Sequence, residues 1–163
     1  MKFNKAIKNL FIVLFSTLLI SACSTAKKSV DTVDDVYTGT DTVEFLAKGV
    51  PDRIFFATNK SKLTTASRDT LRKQATWMRK NKDVTVTVEG HADERGTREY
   101  NLALGERRAN AAKDYLMTYG ISGKRISVIS YGKERPVNTA STPLAWSQNR
   151  SCLLYTSDAA DEG

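Results

Sequence analysis

The sequence is poor in the residues that build metal and disulfide sites. His91 is the only histidine, so a metal centre that needs several imidazole ligands is excluded. There are two cysteines, Cys23 and Cys152, and a disulfide between them is one of two interpretations of Cys23. The 163 residues suffice for one modest domain with additional segments, but not for two full domains.

The sequence also lacks an apolar run long enough to cross a membrane. Leu10–Ile20 is mostly apolar, but a run of about eleven residues falls well short of the ~20 that a spanning helix needs. Lys2, Lys5 and Lys8 precede this run, and two small residues follow it. A basic start, a short apolar core and a small-residue exit predict a secretory signal peptide over residues 1–22.

The end of this signal peptide predicts a lipid anchor. Residues 19–23 read Leu-Ile-Ser-Ala-Cys, which resembles a bacterial lipobox, whose cysteine is acylated and becomes the new N-terminus. Two or more acyl chains hold a protein stably on a membrane, whereas one does not. Ser24, in place of an aspartate, favours the outer membrane. We therefore expect lipidation at Cys23, on the periplasmic side of the outer membrane; the alternative is an exported cysteine that pairs with Cys152.

The positive charge of the chain does not indicate nucleic-acid binding. The formal net charge is +7, but three lysines belong to the predicted signal peptide, which leaves about +4 for the mature chain. The remaining basic residues are scattered among acidic ones, and an exported protein is in a different compartment from the genome. We therefore expect no nucleic-acid partner.

The pattern of the mature chain predicts a tether followed by one domain. Residues 23–49 are polar and show little apolar periodicity, which is typical of a flexible tether. Folded structure is expected to begin near Pro51, with the domain over residues 50–150. The expected strands are 53–56, 84–89 and 126–131, and the expected helices are 64–80, 99–119 and a short turn at 145–148. This β-α-β-α-β order predicts an α+β fold, a two-layer sandwich with the helices packed on one sheet.

One charge interrupts the apolar face of the long predicted helix. At ~100° per residue, Arg108 falls in the middle of that face. The other members of the face are Leu104, Ala111, Ala112, Tyr115 and Tyr119. A guanidinium group in apolar surroundings is costly unless an anion and hydrogen-bond acceptors satisfy it. Either an internal salt bridge holds Arg108, or Arg108 lines a pocket and binds a ligand carboxylate.

The loop before this helix, residues 90–96, carries several ionisable groups between two glycines. It follows a predicted strand directly, and a loop positioned by rigid elements is suited to binding. Structural interpretations are open as well. They are a packed histidine at His91, a turn cap at Asp93 and a surface ion pair between Glu94 and Arg95.

These segments resemble the OmpA-like domain family and, within it, the lipoproteins that associate with peptidoglycan. The matching runs are Gly90–Thr97, Glu99–Leu102, Leu104–Ala111, Ser130–Pro136 and Asn149-Arg150. The resemblance covers roughly residues 53–150 and implies the OmpA-like form of the sandwich, with no cofactor and no metal.

The resemblance also implies a ligand and a site. The family's ligand is the stem peptide of peptidoglycan, whose diaminopimelate carries a free carboxylate and an amine. Asp93 is assigned to the amine and Arg108 to the carboxylate, so that a ligand lacking either charge leaves a protein charge unpaired. The other matching pocket positions are Phe56, Ala57, Asn101 and Leu104.

The resemblance further implies that the protein anchors the outer membrane to the cell wall as part of a Tol-Pal system, in envelope integrity and cell division, with TolB and TolA as partners. The alternative is a periplasmic scaffold that acts mainly through Tol proteins and binds the wall weakly. An enzyme is not expected, because the adjacent Asp93 and Glu94 are badly placed to flank a scissile bond and no nucleophile or metal set accompanies them.

The chain departs from the family at two places. Ala57 stands where many members carry an aspartate, so a side-chain carboxylate is missing, for which Asn59 is a partial substitute. Residues 151–163 replace the usual second arginine and alternating strand with an irregular run and an acidic tail. We therefore expect the final strand to be altered or missing and the tail to be artefactual, with Cys152 left as an unusual thiol for an oxidising compartment.

Overall fold

The computed structural model describes residues 35–156. The predicted signal peptide, the predicted lipidation site Cys23 and residues 157–163 lie outside the described residues. Within the described range, no helix has the length and apolar character that crossing a bilayer requires.

Each of the three described α-helices is preceded by a threonine that caps its N-terminus. The helices are α1 (Thr65–Lys80), α2 (Arg98–Thr118) and α3 (Pro143–Asn149). The hydroxyl group of the preceding Thr64, Thr97 or Thr142 accepts a hydrogen bond from the backbone N–H three residues later. This capping satisfies one of the free donors at the start of each helix. The predicted long helix and its stop before Gly120, which has φ +81°, are confirmed.

The sheet under these helices has four strands. They are β3 (Arg53–Phe55), β4 (Val86–His91), β5 (Ile126–Gly132) and β6 (Ser151–Thr156), in the order β3-β6-β4-β5. Strand β6 runs antiparallel to β3 and β4, whereas β4 and β5 are parallel. The buried core between the sheet and α1 and α2 includes Leu71, Met78, Val88, Leu116 and Leu154. The predicted α+β two-layer sandwich is thus confirmed.

The last strand is central to this sheet. Cys152 of β6 is opposite Ile54 on one side and Gly90 on the other. Cys152 and Leu154 are both buried in the core. Of the two outcomes expected for this strand, altered or missing, the strand is present with an altered sequence. Its poor local alternation is overridden because ladder pairing on both edges and two buried side chains fix it in place.

Folded structure also begins earlier than predicted. Tyr37 is buried, with its ring edge-on to Phe55 at a centroid distance of 4.7 Å. Strands β1 (Phe45–Ala47) and β2 (Val50–Pro51) form a small antiparallel hairpin. The expected start near Pro51 is therefore wrong. Residues 35–49 pack on the domain because Tyr37 and this hairpin make apolar contacts that their mostly polar composition does not indicate.

A close contact between two glycines sets the distance between α2 and the sheet. A Cβ atom on Gly90 would overlap the carbonyl group of Gly105, and one on Gly105 would come within 2.7 Å of the Gly90 oxygen. Side chains at either position would push the helix away from β4. The glycine pair therefore holds the first half of α2 against the end of β4, where the polar loop begins.

Candidate ligand-binding site

The candidate site lies at one edge of the sheet. Strands β3 and β4 both run antiparallel to β6, so the residues after β3, the residues after β4 and the residues before β6 meet at the same edge. The first half of α2 covers this edge from the helical layer. Three parts of the chain that are distant in sequence thereby contribute to one site, since the loop after β4 leads directly into α2.

Arg108 joins these segments from α2. Its side chain is completely buried. The Nε atom donates to the Lys60 carbonyl (2.8 Å), Nη1 to the His91 carbonyl (2.8 Å) and Nη2 to the Ala57 carbonyl (3.1 Å). The guanidinium carbon lies 5.2 Å from the ring centroid of Phe56. Arg108 thus connects the loop after β3 to the end of β4.

The first of the two alternatives for Arg108, an internal salt bridge, is not observed. Among residues 35–156, no carboxylate lies within ion-pair distance of this guanidinium, and its hydrogen bonds go to backbone carbonyl groups. Burial lowers the pKa of Arg108 to about 10, so the group stays protonated at neutral pH. One N–H on each of Nη1 and Nη2 remains for a further acceptor. A buried, uncompensated positive charge of this kind favours an anion beside it.

Asp93 is the opposite charge of the site and is nearly buried. Its Oδ1 accepts from the backbone N–H and Nε of Arg95, at 3.2 and 3.1 Å. Its Oδ2 accepts from Arg95 Nη2 at 2.7 Å and from Arg150 Nη1 at 3.2 Å. Burial acts to raise the pKa of Asp93, but these bonds outweigh burial and hold the pKa below its usual value. Asp93 is therefore an ionised carboxylate, and it also caps the turn of its loop, as one structural interpretation predicted.

Arg150, for which the sequence predicts no role, is a further residue of the site. It precedes β6, and only 1% of its surface is exposed. Its Nε donates to the Phe56 carbonyl (3.1 Å), while Phe56 N donates to the Arg150 carbonyl (2.9 Å). Its Nη1 binds Asp93, and its Nη2 binds the backbone and side-chain oxygens of Asp35. Its place in the matching Asn149-Arg150 run was the available signal.

Arg95 and Glu94 do not pair with each other as the surface interpretation predicted. The Arg95 guanidinium lies 4.4 Å from the Trp146 ring centroid and donates to Thr58 Oγ1 at 3.2 Å. Glu94 accepts from Trp146 Nε1 at 2.8 Å and from Ser141 Oγ at 2.9 Å. Both residues therefore link the loop after β4 to α3 and the segment before it.

Asn101 and Leu104 lie on the buried face of α2 and expose almost no surface. Asn101 Nδ2 donates to the Arg95 carbonyl at 2.9 Å and so holds the loop that carries Asp93. Leu104 precedes Arg108 by one helical turn. The structure thus brings Phe56, Ala57, Asp93 and Arg108 to one edge, where Asn101 holds the loop of Asp93 and Leu104 is among the buried residues of α2.

His91 is a packed histidine in this structure. It is buried, its Nε2 lies 3.3 Å from Glu89 Oε2, and its ring stacks on Tyr131 at a centroid distance of 5.8 Å. No cluster of three or more His, Cys, Asp or Glu side chains within residues 35–156 could hold a metal ion. Cys152 is buried beneath the site, and burial raises the pKa of its thiol to about 12, which makes the thiol unreactive at neutral pH.

The sequence and the fold have counterparts among known proteins. Residues 55–150 match the OmpA family, and the chain belongs to that family. The chain is 42% identical over 153 residues to the Peptidoglycan-associated lipoprotein of Mesorhizobium japonicum, covering 91% of each sequence. It is 40% identical over 153 residues to the protein of the same name from Brucella melitensis, again covering 91% of each.

Solved structures agree with these sequence comparisons. The peptidoglycan-associated lipoprotein from Burkholderia pseudomallei superposes with a TM-score of 0.63 at 30% identity, covering 64% of this chain and 89% of that one. The C-terminal domain of Helicobacter pylori MotB superposes with a TM-score of 0.61 at 20% identity, covering 65% of this chain and 84% of that domain, and shares the fold alone. The predicted family is confirmed, and with it a binding or anchoring protein rather than an enzyme.

Proposed function

We propose that this domain binds the stem peptide of peptidoglycan non-covalently through its diaminopimelate residue. The observation that carries the proposal is the pair of opposite charges at the sheet edge. Arg108 is buried without a carboxylate partner among the described residues, while Asp93 nearby is ionised. A zwitterionic group matches both charges, because its carboxylate can pair with the Arg108 guanidinium and its amine can pair with the Asp93 carboxylate.

Binding in this way requires the loop after β3 to move. Arg108 has no exposed surface, and two of its three acceptors, Ala57 and Lys60, belong to that loop. A ligand carboxylate reaches the guanidinium only when residues 57–60 shift outward. The ligand carboxylate then pairs with a guanidinium that otherwise contacts only neutral carbonyl groups.

The wider role is part of the same proposal. Lipidation at Cys23 would hold the chain in the outer membrane, and binding to the stem peptide would tie that membrane to the cell wall. The name shared by the curated relatives supports this association with peptidoglycan. TolB and TolA are the partners we propose for it, in a Tol-Pal system that maintains the envelope and serves cell division.

The alternative is a scaffold that acts mainly through Tol proteins and binds the wall weakly. One observation favours it: in this state Arg108 is fully buried, and both Asp93 oxygens already accept hydrogen bonds. A competition experiment between soluble muropeptide and TolB distinguishes the two functions. A shared site predicts that soluble muropeptide displaces TolB, whereas a scaffold with a separate surface binds both together.

The direct test is the affinity of the lipid-free mature chain, carrying Cys23→Ser, for a soluble muropeptide that contains diaminopimelate. We expect Arg108→Gln and Asp93→Asn each to weaken binding about tenfold or more, because each removes a hydrogen bond between charged groups worth about 1.5–3 kcal/mol. Arg107→Gln is the matched control, since Arg107 is the exposed neighbour on α2. Parent-like binding by both site variants, with melting curves that show them folded, would refute the proposal.

A further inference from the structure

The side chain of Asp35 occupies an anion position at the edge of the candidate site. Its Oδ2 accepts from the backbone N–H of Thr58 at 2.6 Å, and its Oδ1 accepts from Arg150 Nη2 at 2.6 Å. The backbone carbonyl group of Asp35 accepts from the same Nη2. A buried guanidinium and a backbone N–H that converge on one carboxylate form a built binding position for an acid.

This position is continuous with the proposed ligand site. The peptide unit between Ala57 and Thr58 accepts from Arg108 at its carbonyl end and donates to Asp35 at its N–H end. Arg150 likewise binds Asp93 with Nη1 and Asp35 with Nη2. The two groups that bind the Asp35 carboxylate, the Thr58 N–H and Arg150 Nη2, therefore belong to the proposed ligand site. Outward movement of residues 57–60 breaks the hydrogen bond from Thr58.

Asp35 is carried by a segment of residues 35–44, which we call the strap. Tyr37 packs against Phe55, and Asp41 Oδ2 accepts from Gln148 Nε2 at 2.9 Å. These two contacts fix the strap on the domain independently of Asp35. The side chain of Asp35 itself is 44% exposed, so solvent screens its contacts and its release costs little.

We propose that the strap is an intramolecular competitor of the ligand. The Asp35 carboxylate holds a position that a carboxylate of the bound peptide takes over, and ligand binding releases Asp35. A tethered acid competes effectively because the strap keeps its local concentration high. This inference rests on the proposed function, since it names what opposes binding at that same site.

The test compares the lipid-free mature chain with its Asp35→Asn variant, using calorimetric titration with a soluble diaminopimelate-containing muropeptide. The asparagine keeps the size of the side chain but loses the charge that Arg150 binds. We expect the variant to bind about two- to five-fold tighter, the range of a partly exposed ion pair. Asp83→Asn is the control, because Asp83 is an exposed aspartate and its replacement changes the net charge equally. The control should bind as the parent does.

A second readout follows the backbone N–H of Thr58 by NMR during the same titration. Competition predicts that saturating muropeptide changes this signal in the parent, whereas in Asp35→Asn the signal starts from an altered position before ligand is added. Equal or weaker binding by Asp35→Asn, with the parent still binding, overturns the strap and leaves the proposed function standing. Failure of both chains to bind overturns the proposed function and the strap with it.

Discussion

Two buried arginines at the same sheet edge are satisfied in opposite ways. Arg150, before β6, binds the carboxylates of Asp93 and Asp35, so its charge is compensated inside the protein. Arg108, on α2, binds backbone carbonyl groups and has no carboxylate partner among the described residues. The comparison separates a residue whose charge is paired inside the protein from one whose charge we propose is paired by a ligand anion.

The largest expected effect tests the structural side of this comparison. Arg150→Met should lower the free energy of unfolding by about 3–5 kcal/mol, because it leaves the buried Asp93 without its buried partner. Arg108→Met should cost less, about 1–3 kcal/mol, since residues 57–60 can open and hydrate the carbonyl groups it bound. Urea unfolding measures both, with Arg107→Met as the exposed control. A loss for Arg108→Met that equals or exceeds that for Arg150→Met would contradict the comparison.

A second prediction concerns the carboxylate that Arg150 and Arg95 share. Asp93→Asn should destabilise the fold at neutral pH by about 1–3 kcal/mol, because two charged donors lose an ionised acceptor. The folded-state pKa of Asp93 lies below the usual 3.8, so its stabilising effect is complete well above pH 3.8 and is lost as the pH falls below that value. Unfolding curves across this range should converge for parent and variant at low pH. A constant difference between them would show that the effect is not ionic.

The proposed pairing of Arg108 with a ligand anion is tested by changing the ligand. Amidation of the free diaminopimelate carboxylate removes the anion that Arg108 is proposed to bind. We expect the parent to bind the amidated muropeptide about tenfold more weakly, as for the loss of one charge-assisted hydrogen bond. The Arg108→Gln variant should not distinguish the two ligands. If this variant discriminates between the free and the amidated muropeptide as strongly as the parent does, a group other than Arg108 binds the carboxylate.

The smallest expected effect concerns the contact that holds the loop after β4 to α3. Trp146→Phe removes the Nε1–H that donates to Glu94 but keeps a ring for Arg95 to stack on. We expect a loss of about 0.5–1 kcal/mol in stability, the value of one hydrogen bond. Thermal melting measures it. Because Arg150 and Asp93 remain in place, a loss as large as that of Arg150→Met would mean that α3 itself maintains the site.

These residues differ in how far the sequence alone could reveal them. Arg108 was predictable from periodicity, because a charge in the middle of an apolar helix face needs an explanation. Asp93 was identified only through a family resemblance, since a loop aspartate has several ordinary roles. The roles of Arg150 and Asp35 were not predicted, because their contact joins residues 115 positions apart and no local sequence pattern encodes it.

The errors in the predicted fold have the same origin. The strap resembled a tether because its composition is polar, although Tyr37 packs against Phe55 and Asp41 accepts a hydrogen bond from Gln148. Strand β6 looked doubtful because its alternation is poor, although pairing on both edges stabilises it. Helices α1 and α2, which carry their own caps and periodicity, were predicted closely. Local signals therefore identified the helices, whereas the parts defined by long-range pairing required the structure.

The central position of β6 also determines when this domain can fold. A chain that emerges with its N-terminus first presents β3 and β4 long before residues 151–156 appear, and until then these strands have no partner between them. Unpaired strand edges promote wrong pairings with other chains. Completion of the sheet is therefore a late event that follows the synthesis of residues 151–156, and a chain that ended before residue 151 would leave β3 and β4 without the strand that lies between them.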